Sequence, residues 1–159
     1  MSRPDWSPTR LTADSPTLPE VLRLIRDSFA YMEGRIDPPS SMHRLTDESL
    51  RQQAQDEEVW IIGNPPTAVM FLTAKPGRLY LSKLAVDQSR RGQGLARSLV
   101  DWAETRARAT GHTVLELQTR IELVENHTVF ARLGFVKTGE TAHPGYNRTT
   151  SITMQKRLG

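Results

Sequence analysis

Apolar positions recur along the chain in two rhythms, and each predicts an element. Leu18, Leu22, Ile25, Phe29 and Met32 repeat at helical spacing behind Thr17 and Glu20, which read as a capping box, so a first helix is predicted, stopped at Gly34. Pro38 and Pro39 make residues 35–45 a loop, and Thr46 with Asp47 and Glu48 opens a short polar second helix to residue 55. Residues 59–62, 68–73 and 79–86 are β-compatible runs separated by Gly63-Asn64-Pro65-Pro66 and Pro76-Gly77, which predicts three consecutive antiparallel strands. Ala96, Val100, Ala103 and Ala107 carry a third helix to Gly111, and residues 114–119 form a strand reached by a connection long enough for a parallel crossover. Residues 122–133 are a fourth helix with Leu123, Val129, Phe130 and Leu133 apolar and Gly134 as its stop; residues 135–141 and 150–154 are closing strands around the loop 142–148. Residues 9–13 read as a short first strand behind a frayed terminus at 1–8.

The order is β α α β β β α β α β β, an α+β fold: a mixed, mostly antiparallel sheet of about seven strands flanked by four helices, with one parallel step. With 159 residues, the whole span 1–159 reads as one domain, since domains run to roughly 100 to 200 residues. A 37% hydrophobic and 25% charged composition suits a soluble globular chain, and no apolar run approaches the roughly 20 residues of a membrane span. No apolar segment follows the basic residues of the start, so a cytoplasmic protein without a secretory signal is expected. There are no cysteines, which removes disulfides, thiolate metal sites and a cysteine nucleophile, and no metal is expected. A net charge of +3 is a weak signal for nucleic acid, and no nucleic-acid or membrane partner is expected.

The chemistry concentrates where the strand ending at Val86 runs through Asp87–Arg91 into the third helix. Gly92 and Gly94 let a ligand approach the main chain, the first helical turn offers free N–H groups, and Arg90 and Arg91 add charge. Together these make an anion site suited to phosphate. It is not a P-loop, because Leu95 and Ala96 follow Gly94 in place of Lys-Ser/Thr. Nor does it fit a dinucleotide fingerprint, in which a small residue would stand at Arg97 and the turn would open an alternating βα chain.

The stretch RRGQGLA, with Arg91, Gly94 and Ala96, resembles the acyl-CoA-binding signature of the GNAT superfamily of N-acetyltransferases; the preceding LSKLAV and the later RLGF are similar to that family as well. The resemblance implies the fold above and a reaction in which acetyl-CoA, as cosubstrate, passes its acetyl group directly to an amine of a small molecule or protein in a ternary complex. It implies that N–H groups of Arg91, Gly92, Gln93, Gly94, Leu95 and Ala96 hold the CoA pyrophosphate, and that the strand edge at Leu84, Ala85 and Val86 pairs with pantetheine and polarises the thioester. Asn126 and Phe130 of the fourth helix complete the expected CoA-binding set. Its partners would be CoA and an amine acceptor, with a homodimer left open.

Direct transfer needs a base for the amine proton and an acid for the departing thiolate. Many members of the family place a tyrosine four residues before the Gly-Phe that follows the fourth helix, and this chain has Phe130 there. The resemblance puts the loop 142–148 beside the acyl end of the cleft, which makes Tyr146 and His143 the candidate catalytic groups. Glu116 is a third candidate, a base acting through water, with a solvated carboxylate as its other reading. The loop after the first helix would wall the acceptor site, with Glu33 or Asp37 for an amine and Arg35 for a carboxylate. A non-catalytic acyl-CoA-binding scaffold is the alternative function, favoured by Phe130.

Overall fold

A computed structural model describes residues 7–159, so residues 1–6, most of the expected frayed terminus, lie outside the described residues. The elements are β1 (Thr9–Leu11), α1 (Leu18–Phe29), α2 (Asp47–Asp56), β2 (Glu58–Ile62), β3 (Ala68–Lys75), β4 (Arg78–Val86), α3 (Leu95–Ala109), β5 (Val114–Arg120), α4 (Val124–Arg132), β6 (Val136–Thr141) and β7 (Ser151–Arg157). One seven-stranded sheet has the order β1-β2-β3-β4-β5-β7-β6, and every neighbouring pair is antiparallel except β4 and β5. The α+β order expected from the apolar rhythms is the order observed.

Both faces of the sheet are covered because the central strands are apolar at consecutive positions. Trp60, Ile62, Met70 and Leu72 pack with Leu95, Leu99, Val100 and Ala103 of α3 on one face. Val59, Ile61, Val69 and Phe71 pack with Leu18, Val21, Ile25 and Leu50 of α1 and α2 on the other. Phe71 has no exposed surface, so truncating it to alanine is expected to cost about 3 to 5 kcal/mol.

Two local expectations change. Thr17 does not form a capping box with Glu20: its backbone is helical (φ −82°, ψ −15°) and its side chain caps nothing, while its N–H donates to Ser15 Oγ at 3.3 Å. An N-cap needs an extended backbone to turn its hydroxyl onto the first turn, and here Ser15 and the first-turn proline, Pro19, set the helix start. The capping box belongs instead to α2, where Thr46 Oγ1 accepts from the Ser49 N–H at 3.1 Å and Ser49 Oγ accepts from the Thr46 N–H at 2.9 Å. In α4, Val129 is 45% exposed, because this short helix has its buried anchors at the flanking Leu123 and Leu133.

The site is created by a parting of strands. β4 and β5 pair only at Leu79↔Leu115 and Tyr80↔Glu116. Beyond these rungs, residues 81–86 of β4 and 117–120 of β5 line a cleft of about 1640 Å³.

Candidate active site

Past Tyr80 the side of β4 that faces β5 has no strand partner, so its backbone groups are left for an extended ligand. The other side of β4 stays paired with β3, but with one residue too many: Phe71 pairs with Ser82 and Val69 with Ala85, leaving Lys83 and Leu84 opposite Met70. Lys83 takes φ +52°, the one positive-φ non-glycine among the described residues, as a bulge requires. The bulge keeps Leu84 and Val86 packed on the α3 side and Ala85 on the α1 side. Ser28 Oγ of α1 donates to the Val86 carbonyl at 3.2 Å and ties that helix to the end of the strand.

From β4 the chain makes a single 3-10 turn at Gln88–Arg90, opened by Asp87, whose Oδ1 accepts from the Ser89 N–H at 2.9 Å. Gly92 at φ +81° and Gly94 at φ +87° then swing the backbone into α3. Gly94 is the N-cap and supplies no side-chain acceptor, so the N–H groups of the first turn of α3 are uncapped beside the cleft. Arg90, Arg91 and Arg97 line the same end. Across it, Tyr31 from the turn after α1 has Arg91 at 5.9 Å and Arg35 at 5.6 Å from its ring centre, and its hydroxyl accepts from Asn126 Nδ2 at 3.2 Å.

At the other end, the β6–β7 loop meets the loop after α1. The Tyr146 hydroxyl donates to Asp37 Oδ1 at 2.6 Å, and Arg148 donates to Asp37 Oδ2 at 3.2 Å. The bond to Asp37, then burial, pushes the Tyr146 phenol above its ordinary value, and the same bond holds the Asp37 carboxyl below its own. His143 hydrogen-bonds Thr150 Oγ1 through Nδ1, and its backbone N–H donates to the same oxygen at 2.9 Å. Partial burial, then the charge of Arg120, lowers its pKa, so the neutral imidazole is favoured. Phe130 meets Phe135 edge to face at 6.0 Å.

The model of the Acetyltransferase (GNAT) family matches residues 20–135. The chain belongs to this family. Among solved structures it is similar to the PaiA N-acetyltransferase of Thermoplasma acidophilum in complex with coenzyme A, with 13% identity over 99% of this chain and 100% of that one and a TM-score of 0.79. It is also similar to a GNAT family acetyltransferase from Elizabethkingia anophelis with acetyl-CoA bound, with 16% identity over 98% and 100% and a TM-score of 0.70. An IAA acetyltransferase from Bacillus cereus matches with 17% identity over 96% and 99% and a TM-score of 0.66. No relative is found among the curated proteins. Membership of this family makes the chain an acetyltransferase.

The cleft of this GNAT protein gathers most of the residues expected from the sequence. Leu84, Ala85, Val86, Arg91, Gly92, Gly94, Leu95, Ala96, Asn126 and Phe130 line it, as do His143 and Tyr146; Gln93 does not. Glu116 lies outside the lining: it is buried, with Oε1 taken by Arg78 Nε at 2.9 Å and Oε2 by Gln155 Nε2 at 2.8 Å. The three residues expected to meet the acceptor are paired with protein. Glu33 lies 3.7 Å from His43, Arg35 bonds Glu125 at 2.7 Å, and Asp37 holds Tyr146 and Arg148. His127 Nε2 is bonded to the Arg120 carbonyl at 2.9 Å and braces the β5 end.

Sequence reasoning missed Tyr31, Lys83 and Arg120, all of which line the cleft. Tyr31 carried a signal, a polar-tipped aromatic just off the apolar stripe of the first helix. Lys83 carried none, because a bulge depends on register with β3.

Proposed function

We propose that the protein transfers acetyl from acetyl-CoA to a primary amine in a ternary complex, with the β4 edge and the glycine turn holding the donor and the β6–β7 loop moving the protons. One arrangement carries this reading: an uncapped α3 N-terminus entered through two left-handed glycines, next to a β4 edge that loses its partner after Tyr80. N–H groups between Arg91 and Ala96 bind the pyrophosphate, and pantetheine adds to β4 as an extra strand beside Leu84–Val86. An N–H near the bulge polarises the thioester carbonyl and stabilises the oxyanion.

The neutral amine attacks the thioester carbon, the C–S bond breaks, the nitrogen gives up a proton and the thiolate gains one. A lysine-like amine has a pKa of about 10.4, so at neutral pH it arrives protonated and needs a base. His143 is that base in this reading, since burial favours its neutral form and Thr150 fixes Nδ1, leaving Nε2 as the working nitrogen. Tyr146, kept protonated by its bond to Asp37, is the proton source for the thiolate; Phe130 has no proton to give. The transfer exchanges the Asp37 bond for one to sulfur.

Thiol release from acetyl-CoA across a panel of amines tests this directly, and a chain without cysteine contributes no background thiol. Calorimetry is expected to show CoA binding, and release is expected to depend on the acceptor. CoA binding without acceptor-dependent release supports a scaffold, and no CoA binding removes the reading.

A further inference from the structure

The acceptor end of the cleft is cationic. On the α1 side of the sheet, Lys75 of β3, Lys83 of β4 and Arg120 of β5 line the cleft, each half-buried. Among the described residues none of the three has a carboxylate within 4.0 Å. Lys75 Nζ instead sits 3.9 Å from the Tyr80 ring centre and Lys83 Nζ 5.0 Å from that of Phe71, aromatic faces that take a cation without neutralising it. Arg120 donates through Nη2 to the Pro39 carbonyl at 3.1 Å, which orients the guanidinium, while its Nη1 is buried with no acceptor at all. A charge kept from water without a partner is costly, and an anionic ligand group recovers that cost.

The acidic side of the balance is small. Among the described residues the carboxylates lining the cleft are Glu57, whose charge acts on Lys83, and Glu125, which is paired with Arg35; the charges of Glu122 and Asp37, outside the ion-pair range of Arg120, act on its guanidinium. Asp37 is committed to Tyr146 and Arg148, and Glu33 does not line the cleft. Three cations with no carboxylate within 4.0 Å among the described residues disfavour a polycationic acceptor such as a polyamine and leave room for an anion. Resting on the N-acetyltransferase reading, we infer that the acceptor is a small amino-carboxylate: a molecule whose amine faces the thioester while its carboxylate is held by Lys83 and Arg120, with Lys75 adding to the field. A planar guanidinium with a free Nη1 and a neighbouring ammonium form a paired donor set of the kind that recognises carboxylate.

Matched acceptors test the inference. Thiol release is measured for free amino acids, for the same amino acids as carboxamides, and for a diamine, after calorimetry has established CoA binding. The acids are expected to exceed their amides at least tenfold in kcat/KM, and Lys83→Met and Lys75→Met are each expected to shrink that ratio while leaving CoA affinity as it is. Arg120→Lys, which keeps the charge and loses the planar fork, is expected to retain part of the ratio. Amides or the diamine matching or exceeding the acids overturn the inference and leave the acetyltransferase reading standing. Should no acceptor turn over, the CoA-saturated protein is titrated with N-acetyl amino acids and their amides. Tighter binding of the acids supports the inference, and equal or absent binding overturns it. A protein that does not bind CoA removes both readings.

Discussion

The Tyr146 hydroxyl donates to Asp37 Oδ1 at 2.6 Å across 109 residues of chain, so the loop that carries the proposed proton donor is latched to the loop after α1. The latch keeps the phenol protonated and in place. Tyr146→Phe is expected to lower kcat about 100-fold, the usual worth of a positioned acid, with the acetyl-CoA dissociation constant unchanged. Steady-state kinetics with calorimetry on the same variant checks this; a kcat equal to that of the parent ends the acid role.

Gly94 is the N-cap of α3 at φ +87°. A side chain in that left-handed backbone costs about 1 to 2 kcal/mol, and relaxation toward negative φ turns the first-turn N–H groups away from the pyrophosphate. Gly94→Ala is therefore expected to raise the KM for acetyl-CoA roughly tenfold, the factor that 1.4 kcal/mol corresponds to. The kcat at saturation is expected to hold, because the proposed binding mode puts Gly94 at the pyrophosphate and not at the thioester. Initial velocities against acetyl-CoA concentration decide it.

His143 predicts a pH response with a definite sign. Burial and Arg120 lower its pKa in the folded protein, so the folded state binds this proton less readily than the unfolded chain. Its contribution to stability is thus fully present above the unfolded value of about 6.5 and is lost as pH falls through the lower folded value. In the proposed mechanism the same titration removes the base. The pH profile of kcat/KM for acetyl-CoA, which reports groups of the free enzyme, is expected to show an acid limb with its midpoint below the free-histidine value, and that limb is expected to vanish in His143→Asn. A profile with the same limb in the variant assigns the titration to another group.

Glu116 tests the separation of scaffold from chemistry. Its two oxygens bind Arg78 and Gln155 across β4, β5 and β7, at the rungs where the strands are still joined. Glu116→Ala removes two charge-assisted hydrogen bonds and is expected to cost about 2 kcal/mol of stability, read by denaturant unfolding. Turnover per folded molecule is expected to stay within a factor of about two, since the carboxylate lies outside the cleft. A loss of kcat without a loss of stability returns Glu116 to the catalytic set.

These cases show where sequence reading succeeds and stops. The element order and the anion turn were legible because their causes are local: apolar spacing selects helix or strand, and Gly92 and Gly94 mark the one place where the backbone must go left-handed before a helix. The pairings of Glu116, Asp37 and Arg35 were not legible for the opposite reason. Their partners, Gln155, Tyr146 and Glu125, are distant in sequence, and nothing local says which carboxylate a fold has already neutralised. Lys83 reaches the cleft through a bulge, a property of β3 and β4 together. Thr17 failed as a cap on a local contest, won by Ser15 and Pro19.

Phe130 supplies the sharpest test of how this chain moves its protons. It stands where many GNAT proteins carry a tyrosine, it lines the cleft, and its ring is steadied edge-on by Phe135 at 6.0 Å. Phe130→Tyr adds a hydroxyl to a ring whose seat is already built, so the fold is expected to accept it at a cost under about 1 kcal/mol. In the parent the new phenol is redundant with Tyr146, and kcat is expected to change little. In the Tyr146→Phe background it becomes the available donor and is expected to restore at least tenfold of the lost rate. Rescue in the double variant, with no gain in the single one, locates the missing function in the proton and not in the packing of the β6–β7 loop. Failure of rescue, with acetyl-CoA binding intact, assigns Tyr146 to holding Asp37 and the acceptor wall in place.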